Sequence, residues 1–305
     1  VNRARDAPRL AGVASTVQRL AVLLAAGVPP TSAWRYLAES PTVAGVDAAI
    51  RGGMPVAEAI VAQLPRVAAG ERAAWRGLAA AWWVAADVGA PLAPSLREFA
   101  ASLRSLSEAQ REIAVALSAP VATARLVMAL PAVGLLFGFS LGFDTLGVLF
   151  TTVPGLACLA LGIALMLAAL AWNRRLVAAA QPRDLTPGLR FELTAIAVTG
   201  GGALDRAVAS VSEALHRCGL EAVGDESGVE AVLDLSRRAG VPAAELLRSE
   251  AEEARRSARA EAAAHASVLA VRLMLPLGLC VLPAFMVLGV APLLIAVITS
   301  TVSGM

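Results

Sequence analysis

The sequence predicts an all-α integral membrane protein, with two repeated cytoplasmic helical-bundle modules and three transmembrane helices. Three observations carry this. First, 57% of the 305 residues are hydrophobic and 16% charged, and the mean hydropathy is +0.68. That is too apolar for a soluble domain of this length. Second, three long runs carry no charge. Third, helix-period patterning broken by Gly-x-Pro steps fills the remainder, with almost no strand signal.

Residues 1–120 form the first module. Its start, "RARDAPRL" followed by "LAVLLAAGV", mimics the charged and apolar regions of a signal peptide. Arg19 interrupts that pattern, and an internal repeat explains the stretch better. Gly-x-Pro steps follow at Gly27-Val28-Pro29, Gly53-Met54-Pro55 and Gly89-Ala90-Pro91. Gly just past a helix end can take the left-handed conformation that satisfies the last carbonyls. Pro two residues on suits the first turn of the next helix, where its missing N–H costs nothing. Each step therefore ends one helix and starts another. Trp75 and Trp82, seven apart, share a helix face and with Trp83 are expected in core or interface packing, a membrane-interface belt being the alternative. Leu92, Leu96, Phe99, Leu103, Leu106, Ile113 and Leu117 recur in alternating steps of four and three, with Gln110 in one slot. That is one face of a long helix leading toward the first span.

Residues 121–175 form a transmembrane hairpin, "LVMALPAVGLLFGFSLGF" over 126–143 and "LGVLFTTVPGLACLALGIALMLAALAW" over 146–172. A span needs roughly 20 mostly apolar residues. Residues 176–266 are the second module, and 267–305 hold the third segment and an uncharged tail. That segment, "LMLPLGLCVLPAFMVLGVAPLLIAVI" over 273–298, reads as one tilted or kinked span, a re-entrant hairpin being the alternative. Pro131, Pro154, Pro276, Pro283 and Pro292 are expected kinks, which membrane helices tolerate. A transport pathway through broken helices is the competing reading, but none of these spans carries a midplane charge.

Four arginines orient the set. Arg125 precedes the first span, Arg174 and Arg175 end the second, and Arg272 precedes the third, while the hairpin loop at 142–145 has no Arg. By the positive-inside rule, both modules are cytoplasmic and the C-terminus lies outside.

The two modules repeat one pattern. "LAVLLAAGVPPTSAWRYLA" aligns with "LTAIAVTGGGALDRAVASV", so that Leu20 meets Leu193 and Gly27 meets Gly200. Gly89-Ala90-Pro91 meets Gly240-Val241-Pro242, and Leu96 meets Leu247. "GGGAL" at 200–204 has no following Lys and no preceding strand, so it is a helix–helix turn rather than a phosphate cradle. "SEAEEARRSARAEAAA" at 249–264 reads as a solvated helix face with internal ion pairs, a partner-docking face being the alternative.

Catalytic and cofactor chemistry finds little to work with. All 26 basic residues are Arg, so no P-loop, Schiff-base or Ser-Lys lysine exists. Cys158, Cys218 and Cys280 lack metal or redox spacing, and His216 and His265 have no partners at ligand spacing. A net charge of +2 indicates no nucleic-acid footprint. No catalytic set, cofactor site or metal site is therefore expected.

The stretches "LAVLLAAGVPPTSAWRYLA", "VGAPLAPSLREFA" and an ALP-containing span closely resemble the type II secretion system F domain. "RAGVPAAELLRSEAEEARR" and "RLMLPLGLCVLPAF" repeat the theme and resemble the end of TadB and TadC proteins of tight-adherence, Flp-type pili. The resemblance covers roughly residues 15–300. It implies a non-enzymatic platform protein of the cytoplasmic (inner) membrane. Its implied partners are a cytoplasmic hexameric secretion or pilus ATPase, pilin subunits, the lipid bilayer, and a second F-domain protein or a second copy of itself. No apolar hairpin of the kind that longer family members carry is read before the first module, so three spans are expected, a layout that resembles the secretion-type platform more than a four-span one; the TadB-like and TadC-like subfamilies both stay open.

Overall fold

The computed structural model describes residues 3–116, 152–179, 186–201, 203–220 and 226–292, with isolated positions between 122 and 150 and at 294–295. Regular structure among the described residues is helical throughout. The chain divides into two compact units. Residues 1–112 and 182–261 make one, and residues 113–181 and 262–305 the other. The stretches read as separate modules thus share a unit, and one continuous cluster of buried side chains runs from Leu10 to Leu220.

In the first unit, α1 (Arg3–Ala25), α2 (Pro30–Tyr36), α3 (Pro41–Arg51), α4 (Val56–Gln63) and α5 (Ala69–Val88) follow each other through short turns, and α6 (Leu92–Ala116) carries the chain out. Helix α5 is central and packs against α1 and α4. Its buried residues include Ala74, Gly77, Leu78, Ala79, Ala80, Ala81, Val84 and Ala85, which cover most of its circumference and leave one stripe with Arg72, Arg76, Trp83 and Asp87 exposed or half-buried. A helix buried over so much of its surface must be apolar over most of it. Short side chains also let its neighbours approach closely. At Gly77, a Cβ would lie 2.9 Å from the Phe99 ring of α6.

Trp34 of α2 is fully buried, with ring centroids 6.5 Å from Trp75 and 5.9 Å from Trp82 of α5. These tilted stacks join α2 to α5 through large apolar area. Trp75 and Trp82 therefore lie in the core. Trp83 differs: it is half-buried, with the Arg217 guanidinium 4.3 Å above its ring.

The rest of this unit is α8 (Leu189–Thr199), α9 (Leu204–Arg217), α10 (Glu226–Ala239) and the first part of α11 (Ala243–Arg272). Helices α8 and α9 also pack on α5. Leu20 and Leu193 are both fully buried, as are Leu96 and Leu247. The left-handed glycine matching Gly27 is Gly201 (φ +82°), one residue later than the alignment expects. Gly200 is right-handed, and it sits so close to α5 that a Cβ there would lie 2.5 Å from the Val88 carbonyl oxygen.

The second unit contains α7 (Val153–Ala179) and the end of the continuous helical run Ala243–Val290. Both are long and apolar enough to cross a membrane. Only 17% of the apolar window of α7 is buried, with Leu156, Leu161, Ile163 and Leu167 exposed, so it is not a soluble core helix. Of the expected first span, 126–143, only positions 126, 129, 133, 136 and 140 are among the described residues, and 146, 148 and 151 of the second lie outside them. Past Arg272 the run alternates α-helical pieces with π-helical turns, Leu277–Val281 and Met286–Val290. Each turn lies just beyond a proline, Pro276 or Pro283. Proline removes one helical N–H and clashes with the carbonyl four residues back, and a wider π turn absorbs the misfit. Within this unit Leu288 packs directly over Gly162, and Ala169 over Cys280 and Val281.

Trp34→Ala should cost about 3–5 kcal/mol and Ala80→Leu about 1–3 kcal/mol by overpacking. Tyr36→Ala, at an exposed position, should stay within about 0.5 kcal/mol. Thermal midpoints of the detergent-solubilised chain measure all three. Equal midpoints for Trp34→Ala and Tyr36→Ala would contradict the packing described.

Candidate functional site

The helix turns are built from the glycines singled out by sequence. Gly27, Gly53, Gly89 and Gly240 have φ of +84°, +88°, +70° and +68°. At Gly27, the Val28 N–H donates to the Leu23 carbonyl at 3.0 Å and the Gly27 N–H to the Leu24 carbonyl at 3.1 Å. Gly53 repeats the pair, with Met54 to Ala49 and Gly53 to Ile50. These paired bonds close the helix end, and an L side chain there would be strained. Pro29, Pro55, Pro91 and Pro242 each sit one residue ahead of the next helix, rather than inside its first turn. Pro29 and Pro55 are extended, with ψ of 143°. Proline disfavours helical backbone at the residue before it, which keeps Val28 and Met54 out of the helix. The proline carbonyl then accepts the first helical bond, from Ala33 to Pro29 at 3.0 Å and from Ala59 to Pro55 at 2.9 Å. Gly219 forms the same kind of turn without a proline, and sequence reading missed it.

A second feature was not legible in the sequence. Arg248 Nε donates to Glu98 Oε2 at 3.1 Å, and Arg255 Nη1 to Glu192 Oε2 at 2.8 Å. Ser102 Oγ donates to the same Glu192 oxygen at 3.1 Å. Arg248 and Arg255 are two turns apart on α11, while Glu98 and Ser102 are one turn apart on α6. The result is a ladder of ion pairs tying α11 to α6 and α8. The run at 249–264 is therefore not solvated on all sides. Its outer face holds Arg256 with Glu252 and Glu253, all well exposed. Its inner side buries Ala251 and the Arg255–Glu192 rung, with Leu247 fully buried just before it, while the Arg248–Glu98 rung stays half-exposed. Exposed pairs contribute little, whereas a buried pair must offset desolvation through good geometry.

Glu192 carries most of that cost. Its side chain is 5% exposed, and Oε1 is buried without a hydrogen-bond partner. Burial pushes its carboxyl above the ordinary value of 4.5, against the pull of Arg255 and Ser102 in the other direction.

Arg174, Arg175 and Arg272 are exposed residues near the ends of α7 and α11, and Arg125 lies outside the described residues. Cys158, Cys218 and Cys280 are free. Burial pushes the Cys218 thiol up to about 11 despite nearby Arg76, which leaves it protonated and unreactive at neutral pH. Among the described residues, no group of three or more His, Cys, Asp or Glu is placed to hold a metal.

Residues 16–139 match the family model for type II secretion system (T2SS), protein F. The resemblance to the F domain holds over this stretch, which is 124 of the 305 residues and includes the turns at Gly27, Gly53 and Gly89. No curated protein and no solved structure matches the chain. The F-domain match thus contains α2–α6 and with them one side of the ladder, Glu98 and Ser102. The arginines of α11 lie beyond it.

The raised carboxyl of Glu192 fixes the sign of a pH effect. Between 4.5 and the raised value, the folded chain holds a proton that the unfolded chain has released. Stability should therefore fall as pH rises through that window. Glu192→Gln should flatten this slope, read as melting midpoints from pH 4.5 upward. Arg255→Ala, which leaves a buried carboxylate unpaired, should cost up to about 3 kcal/mol at neutral pH. Identical slopes in wild type and Glu192→Gln would remove Glu192 as the source.

Proposed function

We propose that the chain is a membrane platform protein of a type II secretion or Tad/Flp-type pilus assembly machine. Its helical first unit works on the cytoplasmic side and couples a hexameric ATPase to pilin movement out of the membrane. The observation that carries this reading is the protein F match over residues 16–139. The two apolar helices long enough to cross a bilayer support a membrane position. Helix α11 supports the coupling role: the ladder holds its first half on the bundle, and the same helical run reaches Val290 through the apolar segment. The Tad/Flp assignment rests on "RLMLPLGLCVLPAF", and a second F-domain protein or a second copy of this chain completes the platform.

A crosslinked pull-down of the tagged chain from its native membrane, read by mass spectrometry, tests the proposal. It should recover a secretion-type hexameric ATPase together with a pilin or another F-domain protein. Recovery of a nucleotide-binding transport subunit instead would favour a small permease component. Soluble signalling proteins alone would favour a membrane-tethered scaffold. Orientation is checked separately in a Cys-free background. A cysteine at Thr145 should react with an impermeant maleimide in intact cells, and one at Ser249 should not. Labelling at Ser249 would reverse the topology.

A further inference from the structure

A pocket of about 280 Å³ opens on the first unit between the start of α4 and the second half of α5. Pro55 and Val56 line one side, and Trp82, Trp83 and Asp87 the other. Trp83 and Asp87 are one helical turn apart, so their side chains share a face of α5. Asp87 is exposed, but it is not loose: the buried Ser210 hydroxyl of α9 donates to its Oδ2 at 2.7 Å. A fixed carboxylate thus stands beside a half-buried indole and a proline. One face of this same indole already carries a cation. The Arg217 guanidinium lies 4.3 Å from the centre of the Trp83 ring, while its Nε is held by Glu213 at 2.6 Å.

We infer that the Trp83–Asp87 pocket is a docking site for an arginine-bearing segment of a protein partner. The chemistry selects the occupant. An indole face attracts a cation through its quadrupole, and guanidinium stacks on it better than a strongly hydrated ammonium does. A carboxylate one turn away supplies the charge-assisted hydrogen bond. No basic side chain lines the pocket. The cation on the Trp83 ring, Arg217, is already engaged by Glu213, so a phosphate, a nucleotide or an acidic peptide would meet Asp87 with little to offset the repulsion. The Ser210 bond orients the acceptor before binding, which lowers the entropy lost on docking. The pocket makes this contact whichever machine the chain serves, so its failure would leave the platform reading untouched.

The test uses the full chain in detergent and the indole N–H signals of its five tryptophans, 34, 75, 82, 83 and 172. The probe is acetyl-Gly-Arg-Gly-amide, with the citrulline peptide as an uncharged control of nearly the same shape. The arginine peptide should shift the Trp82 and Trp83 signals saturably, and the citrulline peptide should not. Asp87→Asn keeps the oxygen that accepts from Ser210 but removes the charge, and should weaken binding at least threefold. Ala86→Glu adds a second carboxylate to the pocket lining and should tighten it. Should Asp87→Asn disturb the Trp34 and Trp75 signals, and so the fold, Ala86→Glu decides. Absence of a saturable shift, an equal response to citrulline, or no effect of either substitution would overturn the inference.

Discussion

The first unit depends on burying most of one helix, α5, under four others. Helix α5 accepts α1 and α4 from the first half of the chain and α8 and α9 from the second. Side chains as large as leucine all round would hold those neighbours apart. The run Ala79-Ala80-Ala81, with Gly77 under Phe99, lets them close in, and Trp34, Trp75 and Trp82 supply the apolar volume that alanines lack. Interiors pack at crystal density, so close approach and large rings must be placed together. This explains why two segments far apart in sequence form a single cluster of buried side chains.

Apolar packing alone would not set how α11 lies on that bundle. Leu247 and Ala251 offer a narrow, nearly featureless stripe. The ladder adds directionality, because Arg248 and Arg255 must meet Glu98 and Glu192 at a two-turn spacing. Sliding α11 by one turn would break both pairs and leave a nearly buried carboxylate unpaired. Such a contact contributes more to register than to net stability, since desolvation offsets most of the attraction.

The apolar unit follows different rules. Prolines within its helical run cost hydrogen bonds that no water can replace in a bilayer. The π turns after Pro276 and Pro283 keep the run helical, and Gly162 and Ala169 of α7 leave room for Leu288 and Cys280 beside it. Leucines on the remaining faces are left for lipid or for other chains.

Sequence by itself determined the local structure. The period of Leu96, Phe99 and Leu103, the glycines at 27, 53, 89 and 240, the uncharged stretch of α7 and the F-domain resemblance were all legible, because each is set within a few residues or by composition. The tertiary structure decided the rest. It gave Gly200 a packing role and moved the left-handed turn to Gly201, because the Val88 carbonyl lies where a side chain would go. It turned part of an acid- and arginine-rich run inward, because its partners Glu98 and Glu192 come from distant helices. It also brought Asp87 and Ser210, 123 residues apart, to one pocket rim. No periodicity encodes those meetings, since they depend on which helices α5 allows to come together.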